Sequence, residues 1–266
     1  MRNKRSNGGF TLVELLVVIG IIALLISILL PALNRVKDQA NRIKCMNNLR
    51  DIMHAITMYA AENKNYLPYC NWAGTPGGHT GWLYKDQALP PNEAQLATLS
   101  ETGIVYGYLK TREIFRCPLH TDFRSPLPST ERFTSYIMNG AVQDYPDQYG
   151  GLFTSTHKIT KFTALHVILW ESGETRLMNN GPPWNDGSSY PGEWLSERHG
   201  NGIRFGNNFA KGSGGASIAC FDGHTEWISS KEYELLVKRD PKVYGAGSNR
   251  FWCAPGKPYG AFRIMF

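Results

Sequence analysis

The sequence lacks the short motifs that mark most recognisable catalytic chemistry. It contains no nucleophile elbow, no His-Glu-x-x-His pair, no phosphate-cradling glycine loop and no protein-kinase signature. The glycine-rich stretch Lys211-Gly212-Ser213-Gly214-Gly215 does not lead from a convincing strand into a helix, so it is interpreted as a loop. The seven histidines and 22 acidic residues are scattered along the chain. These absences predict that the chain is not an enzyme.

A strong excess of one charge is also missing from most of the chain. The formal net charge is +6, but residues 1–9 hold three basic residues and no acidic ones. The remainder therefore carries 25 basic against 22 acidic residues, and residues 34–51 alone account for that difference of three. Because the excess is confined to the leader and one helical stretch, no nucleic-acid partner is predicted.

Cysteines are few, and their spacing matches no usual structural zinc pattern. Cys220, Asp222 and His224 alternate along one segment, with Cys253 downstream, but a hairpin turn there would separate their side chains. No metal site is predicted at this segment. Outside the reducing cytoplasm, five cysteines allow up to two disulfide bridges and leave one over, and the sequence does not specify the pairing.

The longest hydrophobic run lies near the N-terminus. In residues 10–33 the only ionisable side chain is that of Glu14. A bilayer core about 30 Å thick needs about 20 apolar residues in a helix, so this run predicts a transmembrane helix. Pro31 should bend or break it, because proline lacks the amide hydrogen. An uncleaved anchor and a secretory signal peptide are the alternatives, but a signal peptide has an apolar region of only about 7–15 residues.

Residues 34–62 predict an amphipathic continuation of the same helix. Apolar side chains recur mostly at steps of three and four residues, with charges and amides between them. They are Leu33, Val36, Ala40, Ile43, Leu49, Ile52, Met53, Ile56, Tyr59 and Ala60. The helix is expected to end near Asn63-Lys64-Asn65, and His54 is interpreted as a packing or surface residue.

Two strand signals stand out in the C-terminal part. The short apolar run Val167–Trp170 predicts a buried strand. The runs Ala216–Phe221 and Thr225–Ile228 flank Asp222-Gly223, which predicts a hairpin with a two-residue type I′ turn. Residues 173–216 show little periodicity and are interpreted as a long irregular excursion.

The segment Gly8-Gly9-Phe10-Thr11-Leu12-Val13-Glu14 resembles the class III signal of type IV pilins and type II secretion pseudopilins. The resemblance implies that a membrane peptidase cuts between Gly9 and Phe10 and methylates the new amino terminus. Residues 1–9 are then the leader. Glu14 is similar to the lone intramembrane glutamate of that family, and Pro31 to its helix-bending proline.

Insertion of Glu14 into a membrane is energetically unfavourable, because a carboxylate at mid-bilayer costs roughly 2.5–3.5 kcal/mol on insertion scales. Such residues therefore usually have a partner. After a cut at Gly9, the amine of Phe10 lies one helical turn from Glu14. Our hypothesis is that Glu14 of one subunit pairs with the Phe10 amine of its neighbour during filament assembly.

The resemblance also implies a fold and a location. A pilin-like α+β fold has one long N-terminal helix, with residues 10–33 in the membrane or filament core and residues 34–62 packed on a globular domain. That domain, residues 63–266, is expected to hold an antiparallel sheet. The chain is expected to cross the inner membrane once, with its N-terminus cytoplasmic and its globular domain extracytoplasmic, and to join a periplasmic or surface filament.

A second, narrower resemblance concerns the C-terminal domain. The stretches Ile114–Pro118 and Phe133–Gly140 resemble motifs of prepilin-like proteins abundant in planctomycetes. That group carries a C-terminal element made of a histidine, a spacer and Asp-Gly. His199 and Asp222-Gly223 match it here, with a spacer of 22 residues that is longer than the usual one. Cys45 and Cys117 also lie inside family-like stretches.

The predicted function is a structural subunit of a type IV pilus-like or type II secretion pseudopilus filament. Its partners would be prepilin peptidase, other pilin-like subunits and the inner membrane. The alternative is a membrane-tethered extracytoplasmic domain that binds a glycan or a protein. Major pseudopilins often hold calcium in a C-terminal loop, and Asp222, Glu226 and Asp240 are the candidate ligands here. No dense loop of oxygen ligands is visible, so no cofactor is otherwise predicted.

Overall fold

The computed structural model describes residues 11–71, 79–85, 98–120, 134–143, 155–172, 187–189, 195–196, 198–200, 214–237, 249–251 and 253–255. Gly9, Phe10 and Asp240 therefore lie outside the described residues. The chain divides into two units, with the boundary between Ala40 and Asn41.

The N-terminal helix, α1, runs from Leu12 to Glu62, so the predicted span and its amphipathic extension form one helix. A capping box starts it. The Glu14 amide donates to Thr11 Oγ1 at 3.3 Å, and the Thr11 amide donates to Glu14 Oε2 at 2.9 Å. The helix continues through Pro31, so proline does not end it, and the bend stays a prediction.

The end of α1 lies where the sequence predicted it. Lys64 and Asn65 adopt positive φ angles of 56° and 66°, and the Asn65 amide donates to the carbonyl of Ala60 at 2.8 Å. This left-handed turn satisfies a carbonyl at the helix end.

The buried face of α1 is shorter than the apolar pattern indicated. Its buried side chains are those of Cys45, Asn48, Leu49, Ile52, Met53, Ala55, Ile56 and Ala60. Leu33, Val36 and Ile43 are 62%, 64% and 51% exposed. His54 is exposed, as expected for a surface residue. The part of α1 that contributes to the globular core therefore begins at Cys45.

Among the described residues of the second unit, six strands form one sheet. They are β1 (Tyr136–Asn139), β2 (Val167–Glu171), β3 (Ser188–Ser189), β4 (His199–Gly200), β5 (Gly214–Cys220) and β6 (Thr225–Ser229). Strands β1, β2, β5 and β6 pair antiparallel in that order, β4 pairs antiparallel with β5, and β3 pairs parallel with β1. The predicted α+β class with an antiparallel sheet is confirmed. The described residues also include the helices α2 (Ile104–Leu109) and α3 (Ser230–Val237).

The predicted hairpin is confirmed, but its two-residue type I′ turn is wrong. Strands β5 and β6 leave a four-residue connection, residues 221–224. Among the described non-glycine residues, only Lys64, Asn65 and Lys110 have positive φ, so Asp222 does not adopt the conformation that a type I′ turn requires. Gly223 alone carries the left-handed angle in this turn, with φ of 88°.

Side chains alternate between the two faces of the sheet, as the period of two in a strand requires. Tyr136, Met138, Leu169 and Ala219 join the buried side chains of α1 in one core cluster. Ile137, Trp170, Ala216, Ile218 and Ile228 join Tyr233 of α3 and Phe251 in another. Trp82 is fully buried and its indole N–H donates to the carbonyl of Gly187 at 2.7 Å, so this tryptophan packs within its own domain.

Candidate functional site

The first unit presents an apolar surface that nothing in the described chain covers. Every residue from Thr11 to Lys37 is exposed, including Leu12 at 85% and Leu16 at 67%. By length and composition this stretch of α1 could cross a membrane. An exposed apolar surface of this extent indicates contact with lipid or with other protein surfaces.

Glu14 is already satisfied within its own chain. In addition to the amide of Thr11, the Thr11 hydroxyl donates to Glu14 Oε2 at 2.7 Å. The carboxylate thus caps the first turn of α1, where negative charge near the helix N-terminus is favourable. This capping role does not depend on a neighbouring subunit. Pairing with the Phe10 amine stays a prediction, because Phe10 lies outside the described residues.

The structure does not bring His199 and Asp222-Gly223 together. His199 pairs with Gly215 near the start of β5, whereas Asp222 follows the other end of that strand. The distance along β5 is roughly 20 Å at the usual rise of a strand. Asp222 is half-exposed and accepts a hydrogen bond from the His224 amide at 3.0 Å. The positions of His199 and Asp222-Gly223 therefore do not support a shared role for these residues.

The candidate calcium ligands are engaged with cationic or polar groups. Glu226 Oε1 forms an ion pair with Arg250 and lies 3.8 Å from His224 Nε2. Asp222 Oδ1 lies 2.5 Å from His224 Nδ1. Since Asp240 lies outside the described residues, calcium binding stays a prediction.

A different cluster, missed by sequence reasoning, lies in the core of the second unit. We call Cys45, Cys117, Glu171 and His199 the buried cluster. One donor atom from each residue lies within 4.8 Å of all the others, and all four side chains are buried. His199 Nε2 is 3.0 Å from Glu171 Oε1 and 3.5 Å from Cys117 Sγ.

Sheet register explains why Glu171 and His199 meet. Strand β6 occupies one edge of β5, while β2 and β4 pair with successive parts of the other edge. Trp170 pairs with Ile218 and His199 with Gly215, which places Glu171 beside Ser217, two residues from the partner of His199. Residues two apart share a face of a sheet, so both side chains point to the same face. Cys45 reaches them from α1 and Cys117 from the turn after the short 3-10 helix Glu113–Phe115.

The members of the buried cluster shift one another's pKa values. A hydrogen bond with Cys45 lowers the pKa of Cys117 to about 6 despite burial, and it raises the pKa of Cys45. Burial lowers the pKa of His199, but contacts with Cys117 and Glu171 outweigh it and raise that pKa to about 10. Burial raises the pKa of Glu171, and the His199 contact together with the charge of Arg198 lowers it overall. The cluster thus favours a thiolate and a carboxylate next to an imidazolium.

All five cysteines lie in the described part of the chain, and none of them forms a disulfide. The buried cluster offers two sulfurs, one imidazole nitrogen and one carboxylate oxygen. This set of donor atoms can hold a transition metal. Sequence spacing did not reveal it because the four residues come from four separate segments. The available signal was that Cys45, Cys117 and His199 each lie in a family-like stretch.

Comparison with known proteins first gives the class of the N-terminal segment. Residues 4–30 match the family described as "Prokaryotic N-terminal methylation motif". The predicted prepilin-type signal is thereby confirmed, and it includes Glu14 and most of the exposed apolar surface of α1.

Individual relatives then give the kind of protein to which this segment is similar. Over 63 residues, 24% of this chain and 44% of the relative, it is 38% identical to the type II secretion system core protein G of Klebsiella michiganensis. Over 66 residues, 25% of this chain and 48% of the relative, it is 41% identical to the type IV wide pilus major component PilA4 of Thermus thermophilus.

The matches to these relatives are partial. The chain spans less than half the length of either of them. No solved structure matches it. The narrower planctomycete-type grouping stays a prediction.

Proposed function

We propose that the chain is a pilin-like structural subunit of a type IV pilus-like or type II secretion pseudopilus filament, and not an enzyme. The observation that carries this proposal is the exposed apolar stretch of α1, in which every residue from Thr11 to Lys37 is exposed. Lipid would cover this surface in the inner membrane, and the helices of neighbouring subunits would cover it in a filament. The N-terminal methylation motif and the similarity to core protein G and PilA4 support the same function.

In this proposal, prepilin peptidase removes residues 1–9 on the cytoplasmic side and the amine of Phe10 is methylated. The globular unit then lies outside the inner membrane. The test is mass spectrometry of the N-terminal peptide of the protein from its native cell. N-methylated Phe10 is the expected terminus. A terminus at Met1 contradicts processing, and a terminus near Leu33 indicates conventional export instead.

The proposal assigns two roles to Glu14, capping of its own helix and pairing with the Phe10 amine of the next subunit. Two variants separate them. Glu14→Gln keeps an acceptor for the Thr11 amide, since a capping box accepts Glu or Gln, but it removes the charge. Glu14→Leu removes both. If pairing is required, both variants are processed normally and both fail to enter filaments.

The measurement is the amount of subunit in sheared filaments relative to the amount in the membrane fraction. Normal assembly of both variants contradicts the pairing role. If Glu14→Gln assembles normally and Glu14→Leu does not, assembly requires the polar side chain that caps the helix and does not require its charge.

A second candidate function is a membrane-tethered extracytoplasmic domain that binds a glycan or a protein. It is favoured by the limited extent of the matches to core protein G and PilA4. They cover only about a quarter of this chain and leave the rest without a matched relative among them. Imaging and crosslinking in the native cell separate the two functions. A correctly methylated subunit that never crosslinks through α1 to another pilin-like subunit supports the tethered domain.

A further inference from the structure

We propose that the buried cluster, Cys45, Cys117, Glu171 and His199, is a structural zinc site. The four ligand atoms would be the two Sγ atoms, His199 Nε2 and Glu171 Oε1. Thiolate and imidazole ligands in a four-coordinate arrangement favour Zn²⁺ among the common biological metals. This site is independent of the filament function proposed above, because it lies wholly within the second unit.

The spacing of the donor atoms suits tetrahedral zinc. With Zn–S distances of about 2.3 Å and Zn–N or Zn–O distances of about 2.0 Å, the ligand atoms of a tetrahedral site lie about 3.3–3.8 Å apart. The distance from His199 Nε2 to Cys117 Sγ is 3.5 Å and that to Glu171 Oε1 is 3.0 Å. All remaining pairs fall within 4.8 Å, so each of them would close by at most about 1.5 Å around the ion.

Charge balance is also compatible with a dication at this position. Two thiolates and one carboxylate carry three negative charges when they bind a metal. Zn²⁺ supplies two positive charges, and Arg198 supplies a third. Arg198 is 7% exposed, its Nη2 donates to the carbonyl of Ser172 at 3.0 Å, and its charge acts on both Cys117 and Glu171. The metal-loaded core would therefore carry no net charge, which avoids the cost of an uncompensated buried ion.

Groups around the cluster hold the ligands in position. The Ser217 amide donates to Glu171 Oε2 at 2.7 Å, which leaves Oε1 for the metal. The Tyr136 hydroxyl is hydrogen-bonded to the side chain of Cys45 and accepts from Asn48 Nδ2 at 3.2 Å. The Cys117 amide donates to Ser135 Oγ at 2.9 Å. Hydrogen bonds of this kind orient the side chains that bind a metal and tune its properties.

The site is closed, which favours a structural over a catalytic role. Cys45 and Cys117 are 0% and 2% exposed, Glu171 is 0% and His199 is 1% exposed. Catalytic zinc sites keep one position open for water or substrate, whereas structural sites use four protein ligands. A bound ion would join α1, the turn at Cys117, β2 and β4, segments that are far apart in sequence.

The competing chemistry for Cys45 and Cys117 is a disulfide, since the proposed location is an oxidising compartment. A disulfide would use only two of the four converging side chains. The convergence of Glu171 and His199 on the same point is explained by a metal and is not explained by a disulfide.

The test is the zinc content of the full chain, purified in detergent without chelators and measured by inductively coupled plasma mass spectrometry. We expect about one zinc per chain, and a loss to near zero in Cys45→Ser and in His199→Ala. Cys220→Ser is the matched control, because Cys220 is also buried and lies in a separate group with His224 and Glu226, which are only partly buried. It should retain the zinc.

The ligand variants could lose zinc because they misfold. A measurement on the unaltered chain therefore tests the site independently. Replacement of zinc by Co²⁺ should give the visible d–d bands of a tetrahedral ion and a thiolate-to-cobalt charge-transfer band. Metal-free protein, zinc that survives Cys45→Ser and His199→Ala, or an octahedral cobalt spectrum would overturn the proposal. So would an intact mass lower by two hydrogen atoms, which indicates a disulfide, if Cys45→Ser removes that difference.

Discussion

His199 Nε2 lies 3.0 Å from Glu171 Oε1, and neither side chain has any exposed surface. The pair joins β2 to β4 along one edge of β5. Its geometry depends on the sheet register, and its charges depend on each other, because a carboxylate alone at this depth would be strongly disfavoured. Removal of either partner should therefore destabilise the fold even before any metal binds.

The first prediction concerns this pair in metal-free protein. With chelator present, His199→Ala should lower the free energy of unfolding by about 3–5 kcal/mol, since it leaves a buried carboxylate without its partner. Urea denaturation of the full chain in detergent measures it. His54→Ala is the control, because His54 is exposed on α1, and it should stay within about 0.5 kcal/mol of the unaltered chain. Equal effects of the two substitutions contradict the pair's contribution.

The second prediction compares two glycines that differ in backbone conformation. An added Cβ meets nothing within 4 Å at either Gly107 or Gly223. Gly223 has φ of 88°, so Gly223→Ala should cost about 1–2 kcal/mol. Gly107 lies inside α2, so Gly107→Ala should stabilise by about 0.5–1 kcal/mol. Thermal unfolding of both variants checks the opposite signs, and shifts of the same sign would contradict the turn geometry.

The third prediction is a pH effect at His166. Burial lowers the pKa of His166, and its Nδ1 accepts a hydrogen bond from the Thr163 amide at 3.2 Å. The folded state therefore favours the neutral ring. Its contribution is present above the unfolded pKa of about 6.5 and is lost as the pH falls through the lowered folded value.

His166→Asn keeps a side-chain acceptor but cannot titrate. Urea midpoints measured between about pH 7 and pH 5 should therefore fall less in this variant than in the unaltered chain. If the His166→Asn curve parallels that of the unaltered chain, His166 does not contribute to the pH dependence.

The fourth prediction separates the two parts of α1 with one pair of leucines. Leu49 is fully buried and Leu33 is 62% exposed. Leu49→Ala should destabilise the second unit by about 2–5 kcal/mol, whereas Leu33→Ala should change its stability by less than about 0.5 kcal/mol. In the proposed filament, Leu33→Ala should instead reduce the fraction of subunit in sheared filaments. A large effect of Leu33→Ala on unfolding would mean that this residue belongs to the globular core.

Elements encoded by local patterns could be predicted from the sequence. The apolar run and its three- and four-residue continuation placed one helix over residues 10–62, against Leu12–Glu62 in the structure. Val167–Trp170 gave a buried strand, and Asp222-Gly223 gave a hairpin. The predicted two-residue type I′ turn was wrong because the connection has four residues, 221–224. Only Gly223 in it has a left-handed φ, whereas a type I′ turn needs two such residues.

The buried cluster could not be predicted, because its assembly depends on long-range pairing. Strand β4 is only two residues long, too short for a periodic signal, and its place along β5 decides where His199 points. The burial of α1 from Cys45 onward likewise depends on the sheet that packs against it. The sequence resemblance drew attention to His199 through Asp222-Gly223, but its contacts are with Glu171 and Cys117.

The boundary between Ala40 and Asn41 has a practical consequence for recombinant expression of the second unit. A fragment cut after Glu62, where the amphipathic stretch stops, would discard Leu49, Ile52, Met53 and Ile56 and expose the sheet face they cover. Expression of the second unit should therefore start at or before Asn41, so that the fragment keeps the helical segment that covers this face.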